Sequence, residues 1–208
     1  MKTFISFSIL CWWTVVVTAA QAERPNIIMF LIDDQNPSSI AAFGGDTYTP
    51  NLDRMAQEGM KFTRAYVSSS VCTPSRYSFL TGRFAGNSHS KLYLDAVGGK
   101  ENQGLPNFNV ALERDNMNVG NVLREAGYTT GFVGKFHLTS NLDFPEFYKG
   151  KDKWINIPKN ARPGPETSAQ FKHNERWMRR YLKDLGFSWA KNVYPENMPS
   201  PYSMHNPE

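Results

Sequence analysis

The chain has 208 residues, with 23 Lys and Arg against 19 Asp and Glu, and a formal net charge of +4. So mild a positive balance, with no nucleic-acid-binding motif beside it, excludes a chain built for DNA or RNA and is merely compatible with anionic substrates. Two cysteines and no internal repeat exclude a disulfide-stapled scaffold and a repeat array.

Residues 1–22 read as a secretory leader: Lys2, an apolar run from Phe4 to Val17, then Ala20–Gln21–Ala22 as a small-residue cleavage site. The apolar run is too short for a stable membrane span, although an uncleaved anchor is the alternative. Cleavage leaves residues 23–208, one ordinary domain's worth. It also removes Cys11, so that Cys72 is the one thiol left and no internal disulfide can form. Export by such a leader leaves the periplasm, the exterior and the lysosome as destinations.

Asn26 to Ile32 is a continuous apolar run, the pattern of a strand buried on both faces. Asp33 and Asp34 follow at its end, where open α/β sheets place their ligands. Adjacent carboxylates repel unless a hard cation lies between them. The alternative is a polar loop in which one Asp caps a turn. Gly44–Gly45 marks a turn, and Thr49 to Gly59 reads as a short helix capped by Thr49 or Asn51 and stopped by Gly59. Phe62 to Val67 is a second strand candidate.

The next stretch runs Ser70–Val71–Cys72–Thr73–Pro74–Ser75–Arg76–Tyr77–Ser78–Phe79–Leu80–Thr81–Gly82–Arg83. Pro74 suits a first helical turn, so Cys72 should lie just before a helix N-terminus. Orphan N–H groups and the helix dipole there favour a nucleophile or an anionic group. Taken alone, Cys72 reads rather as a small buried hydrophobe, the commonest fate of a free cysteine.

Residues 84–117 are rich in Gly, Asn and Ser and read as a long excursion in which His89 is solvated. Asn118 to Ala126 has the spacing of an amphipathic helix stopped by Gly127. Residues 129–133 form a third strand candidate, ending near Lys135 and His137. Side chains two apart on an extended segment point the same way, so a cation and an imidazole could face one site. Residues 141–167 read as loop, with a short edge element over 151–157. Gln170 to Leu185 should be a helix ending at Gly186, its aromatics packed in the core. The basic residues from Lys172 to Lys183 read as that helix's solvated face.

Three of these stretches together resemble the sulfatase family. Cys72, Pro74, Arg76, Phe79–Leu80 and Thr81–Gly82–Arg83 match its first signature, a Cys, any residue, Pro, any residue, Arg, then an apolar pair and Thr-Gly-Arg. Thr49–Pro50–Asn51–Leu52–Asp53 and Phe62–Thr63 match the block that precedes it. Gly127–Tyr128, Thr130, Gly134–Lys135 and Phe136–His137 match a second signature, departing only at Thr139, where the family often has Gly.

The resemblance implies an α/β fold like that of alkaline phosphatase, a mixed sheet flanked by helices, incomplete in this length of chain. It implies a sulfatase that cleaves a sulfate monoester on a small molecule or carbohydrate. Cys72 would be oxidised by a formylglycine-generating enzyme to formylglycine, whose hydrate is the nucleophile. One hydroxyl would attack sulfur and the other would later release sulfate. Asp33 and Asp34, with residue 72, would bind one calcium ion. Arg76 and Lys135 would supply positive charge, Lys135 at a sulfate oxygen, and His137 would contact the formylglycine hydroxyl. Further family ligands, an Asp with a neighbouring Asn or His and another His and Lys, lie further along in the family's longer chains, and no acidic–Asn pair here has a comparable strand-end setting. The chain therefore reads as the N-terminal portion of a longer sulfatase. The alternatives are a phosphatase, phosphodiesterase or phosphonate hydrolase of the same superfamily, or an inactive exported fragment.

Overall fold

The computed structural model describes residues 24–99, 104–115, 117–139, 149–150, 152–158 and 160–195. The leader over 1–22 lies outside the described residues. The chain divides into two compact units, one up to Pro50 and one from Asn51 onward.

In the first unit, Asn26 to Ile32 does not form a strand. Ile28 and Phe30 are almost four-fifths exposed, and no described residue pairs with this run. The apolar pattern says that a segment suits a two-sided sheet, but a strand exists only where neighbours complete its ladder. Asp33 and Asp34 fall in a bend, and two short 3-10 turns follow, Pro37–Ser39 and Ala41–Phe43.

The second unit is a helical framework around a small parallel sheet. Helix α1 spans Pro50–Glu58, α2 Cys72–Thr81, α3 Lys91–Ala96, α4 Val119–Glu125 and α5 Pro165–Asp184. Strands β1, Gly131–Lys135, and β2, Trp189–Tyr194, pair in parallel, with an irregularity between Val133 and Gly134. Parallel neighbours require a crossover, and α5 provides it, packing on β2. The expected strand over 62–67 is absent: Phe62, Tyr66 and Val67 are exposed and unladdered. The β1 expectation holds with a shift of two residues.

The core gathers Tyr77 and Leu80 of α2, Tyr93 of α3, Val110 and Leu112, Phe136 and Leu138, Met178, Tyr181 and Leu182 of α5, and Phe187 and Val193. Edge-to-face rings run through it, Phe187 to Phe132 at 5.4 Å, Phe132 to Phe136 at 5.6 Å and Phe136 to Tyr181 at 5.5 Å. The stretch read as a featureless excursion thus holds α3 and the buried triplet Val110–Ala111–Leu112. No strand occupies the described residues of 151–157. Instead the buried Asn174 side chain of α5 accepts from Ile155 N at 2.9 Å and donates to Ile155 O at 2.8 Å, standing in for a ladder partner.

Local chemistry sets the joints. Asn118 caps α4, its Oδ1 accepting from Gly120 N at 2.9 Å and Asn121 N at 3.2 Å. Thr130 Oγ1 donates to Gly186 O at 2.6 Å and accepts from Ser188 N at 3.1 Å, pinning the register of β2 on β1. Gly186 has φ +93°, and a Cβ there would lie 2.5 Å from Asn121 N, so only glycine fits the turn between α5 and β2.

Candidate active site

Cys72 is the first residue of α2 rather than the residue before it; Val71, with extended backbone, is the N-cap. The difference is a single position, and the thiol still lies in the first turn, where backbone N–H groups lack intrahelical partners. Cys72 is a free, half-buried thiol. Pro74 lies in the same turn, where a missing N–H costs nothing. Thr73 is buried beside it, and its Oγ1 has no partner among the described residues.

Arg76 is one turn further on, so Cys72 and Arg76 share a face of α2. Arg76 is buried, and its Nη1 donates to the backbone carbonyl of Lys135 at 2.8 Å. That bond ties the Cys72 helix to the end of β1, across 59 residues of sequence. Lys135 is the last residue of β1 and half-buried. His137, two residues on, has φ +58°. A non-glycine residue rarely takes that conformation, and such strain gathers at functional positions. It also takes His137 off the extended segment, so the alternation that set it beside Lys135 stops short of it. The imidazole lies against Phe108, ring centres 5.5 Å apart.

The bond from Arg76 to the Lys135 carbonyl therefore brings the helix that carries Cys72 against the end of β1, two residues before His137. Asp33 and Asp34 belong to the other unit; both are exposed, and Asp34 also has a left-handed backbone, φ +56°. Among the described residues no three His, Cys, Asp or Glu side chains cluster as a ready-made metal site.

Sequence reading missed the group that holds the C-terminal end of α2 in place. Thr81 Oγ1 donates to Tyr77 O at 2.7 Å and accepts from Arg83 N at 3.1 Å, and Gly82 closes the helix with φ +69°. Arg83 is thereby aimed at two carboxylates, Nη1 to Asp115 at 2.7 Å and Nη2 to Glu113 at 3.2 Å. The other oxygen of Glu113 accepts from Tyr77 Oη at 3.0 Å, Ser88 Oγ at 2.7 Å and His89 N at 2.7 Å. His89 is thus anchored by its backbone. The one signal available was Arg83 inside the Thr-Gly-Arg triplet; Glu113 has no local signature.

Burial lowers the Arg83 guanidinium, but the hydrogen bond to Asp115 and the charges of Tyr77, Glu113 and Asp115 outweigh it and raise it overall. Burial, reinforced by the Glu113 charge, pushes the Tyr77 phenol well above its usual 10.0. A raised folded-state pKa means that this stabilisation is complete below the unfolded value and is lost as the pH rises beyond it. The stability advantage of the protein over Tyr77→Phe is accordingly expected to be flat up to about pH 10. Above that it should shrink by up to about 1.4 kcal/mol per pH unit. Urea titrations of both proteins at pH 8 to 11 check this (~1 pH-unit steps suffice); a constant difference would refute it.

A family model described as Sulfatase matches residues 25–194. Rat N-acetylgalactosamine-6-sulfatase is 35% identical over 159 residues, covering 72% of this chain and 28% of that protein. Rat arylsulfatase G is 35% identical over 142 residues, covering 66% of this chain and 24% of the relative. Human arylsulfatase G is 32% identical over 156 residues, with 74% and 27% covered. The chain spans about a quarter of the length of these curated relatives.

Proposed function

This chain belongs to the sulfatase family, and from that premise we propose that it acts as a sulfuric ester hydrolase with residue 72, converted to formylglycine, as its nucleophile. The observation that carries the reading is the bond from Arg76 to the Lys135 carbonyl, which joins the two signature segments at one place. A sulfate monoester resists water because charge must build on the sulfuryl and leaving oxygens, and fixed cations lower that barrier. Arg76 and Lys135 supply them. Burial holds the Arg76 fork rigid, and the strained backbone of His137 suits a functional position, its imidazole serving as the base that helps the second hydroxyl expel sulfate. The formylglycine hydrate supplies one hydroxyl for attack and a second for release of sulfate, which an ordinary Ser or Cys lacks.

The donor chemistry at Asp33 and Asp34 fits a calcium ion, which takes hard oxygen ligands. The thiol of Cys72 does not fit such an ion, whereas the oxygen of its oxidised form does. Asp33 and Asp34 would hold the ion, which when bound adds Lewis-acid charge at the sulfate oxygens.

Residues 23–208 are on this reading the N-terminal part of a catalytic domain of alkaline-phosphatase-like fold, with β1 and β2 one portion of its mixed sheet and α5 the crossover between them. The leader sends the protein out of the cytoplasm, where a formylglycine-generating enzyme acts on Cys72 during export. No helix among the described residues is long and apolar enough to cross a membrane. The substrate is a sulfated small molecule or carbohydrate; the name of the rat N-acetylgalactosamine-6-sulfatase supports a sulfated amino sugar. The share of the relatives' length covered favours one second reading, that this length of chain is silent by itself.

Mass spectrometry of protein made with a formylglycine-generating enzyme should show the aldehyde at residue 72. The protein as its gene encodes it should cleave an aryl sulfate in preference to an aryl phosphate, with calcium present. Unmodified cysteine, or a preference for phosphate, would overturn the proposal.

A further inference from the structure

A polar pocket of about 210 Å³ lies on α5, lined by Asp152, His173, Arg176, Trp177 and Arg180. Arg176 Nη2 lies 3.0 Å from His173 Nδ1. A guanidinium has no acceptor, so Arg176 donates and Nδ1 carries the lone pair. His173 Nε2 therefore bears the proton and donates to Lys153 O at 2.9 Å. Arg180 is set over the Trp177 ring, 5.3 Å from its centre, and the Trp177 indole N–H donates to Asp152 O. Both guanidinium groups are thus oriented by an imidazole and an indole rather than by carboxylates.

The neighbouring Arg179 is paired with Glu175 at 3.2 Å, whereas neither Arg176 nor Arg180 has a carboxylate within 4.0 Å among the described residues. Like charges four residues apart on a helix repel and destabilise it. Two cations held together around a hollow are a place for an oxyanion. The hollow is smaller than the ~300–1,000 Å³ of a drug-sized pocket, so it suits a group and not a whole molecule. Asp152 on its wall repels a bare anion but accepts hydrogen bonds from hydroxyls.

We propose that this pocket binds the sulfate-ester group of an acidic saccharide, with Arg176 and Arg180 on the sulfate and the Asp152 carboxylate on a neighbouring sugar hydroxyl. It is a site apart from the nucleophile, formed by α5 and residues 152–153. It rests on the sulfatase reading only for the choice of sulfate among oxyanions.

The test is titration of the Cys72→Ala protein with a monosulfated disaccharide, its desulfated counterpart and inorganic sulfate, followed at the Trp177 indole N–H resonance by NMR. The monosulfated disaccharide should bind at least about tenfold more tightly than either of the others. Arg176→Gln with Arg180→Gln should weaken it by about tenfold or more, the loss of charge-assisted bonds. Arg54→Gln with Lys91→Gln, an equal loss of charge on α1 and α3, should leave it unchanged. Equal weakening by the two pairs, or inorganic sulfate binding as tightly as the disaccharide, would overturn the proposal. So would a desulfated disaccharide that binds as well. The aldehyde at residue 72 is read separately, so failure of the catalytic reading and failure of this site are distinguishable.

Discussion

Glu113→Ala is expected to destabilise the protein by about 3–5 kcal/mol, a large part of the roughly 5–15 kcal/mol that holds a domain folded. The carboxylate is nearly buried, 10% exposed, and accepts from Tyr77 Oη, Ser88 Oγ, His89 N and Arg83 Nη2. Tyr77 is fully buried, so its hydroxyl would lose its acceptor without gaining water, while the equally buried Ser88 Oγ would keep Ser90 Oγ at 3.0 Å as its acceptor. Each orphaned buried donor costs about 1–3 kcal/mol. Arg83 would keep Asp115 at 2.7 Å, which limits the loss. Glu113→Gln should fall between, because an amide oxygen can still accept the three contacts on one side while its NH₂ faces the Arg83 guanidinium. Urea denaturation read by circular dichroism gives the order, wild type above Gln above Ala. A change under about 1 kcal/mol for Glu113→Ala would show that this carboxylate is not what anchors α2 to the 84–115 segment.

Glu113 also shows what the sequence could and could not disclose. Periodicity and helix ends depend on neighbours in the chain, and those readings held at Asn118 before α4 and Gly186 after α5. The candidate site was named through the family resemblance; spacing alone says only that Cys72 and Arg76 are one helical turn apart, and the φ of +58° at His137 breaks the alternation that would set it beside Lys135. What failed depends on partners distant in sequence. Asn26 to Ile32 has the composition of a buried strand, yet a ladder needs a neighbour that composition does not name. The β2 strand was missed because Trp189 to Tyr194 alternates weakly, and its register comes from Thr130, 58 residues earlier. Likewise the basic run on α5 reads as a solvated face until Asp152, His173 and Trp177 are seen to turn part of it into a pocket.

Arg76→Lys should lower kcat/KM on an aryl sulfate by about 10²–10³, mostly through kcat, in the protein as its gene encodes it. The substitution keeps the charge and removes the planar fork. Arg76 donates through Nη1 to the Lys135 carbonyl at 2.8 Å, and only a guanidinium has further N–H groups, fixed in the same plane, to offer an oxyanion beside residue 72. An ammonium on a flexible stem satisfies one of these demands at a time. A lysine that keeps the Lys135 carbonyl leaves the developing charge unmet; one that turns to the charge orphans a buried carbonyl and loosens β1 against α2. The second case costs about 1–3 kcal/mol of stability and the first almost none, so thermal unfolding tells them apart. On the proposed reading the rate falls either way, and mass spectrometry at residue 72 of the variant separates a loss of rate from a loss of formylglycine. An Arg76→Lys protein that retains more than about a tenth of the wild-type kcat/KM would mean that the bond between the two signature segments is scaffolding alone.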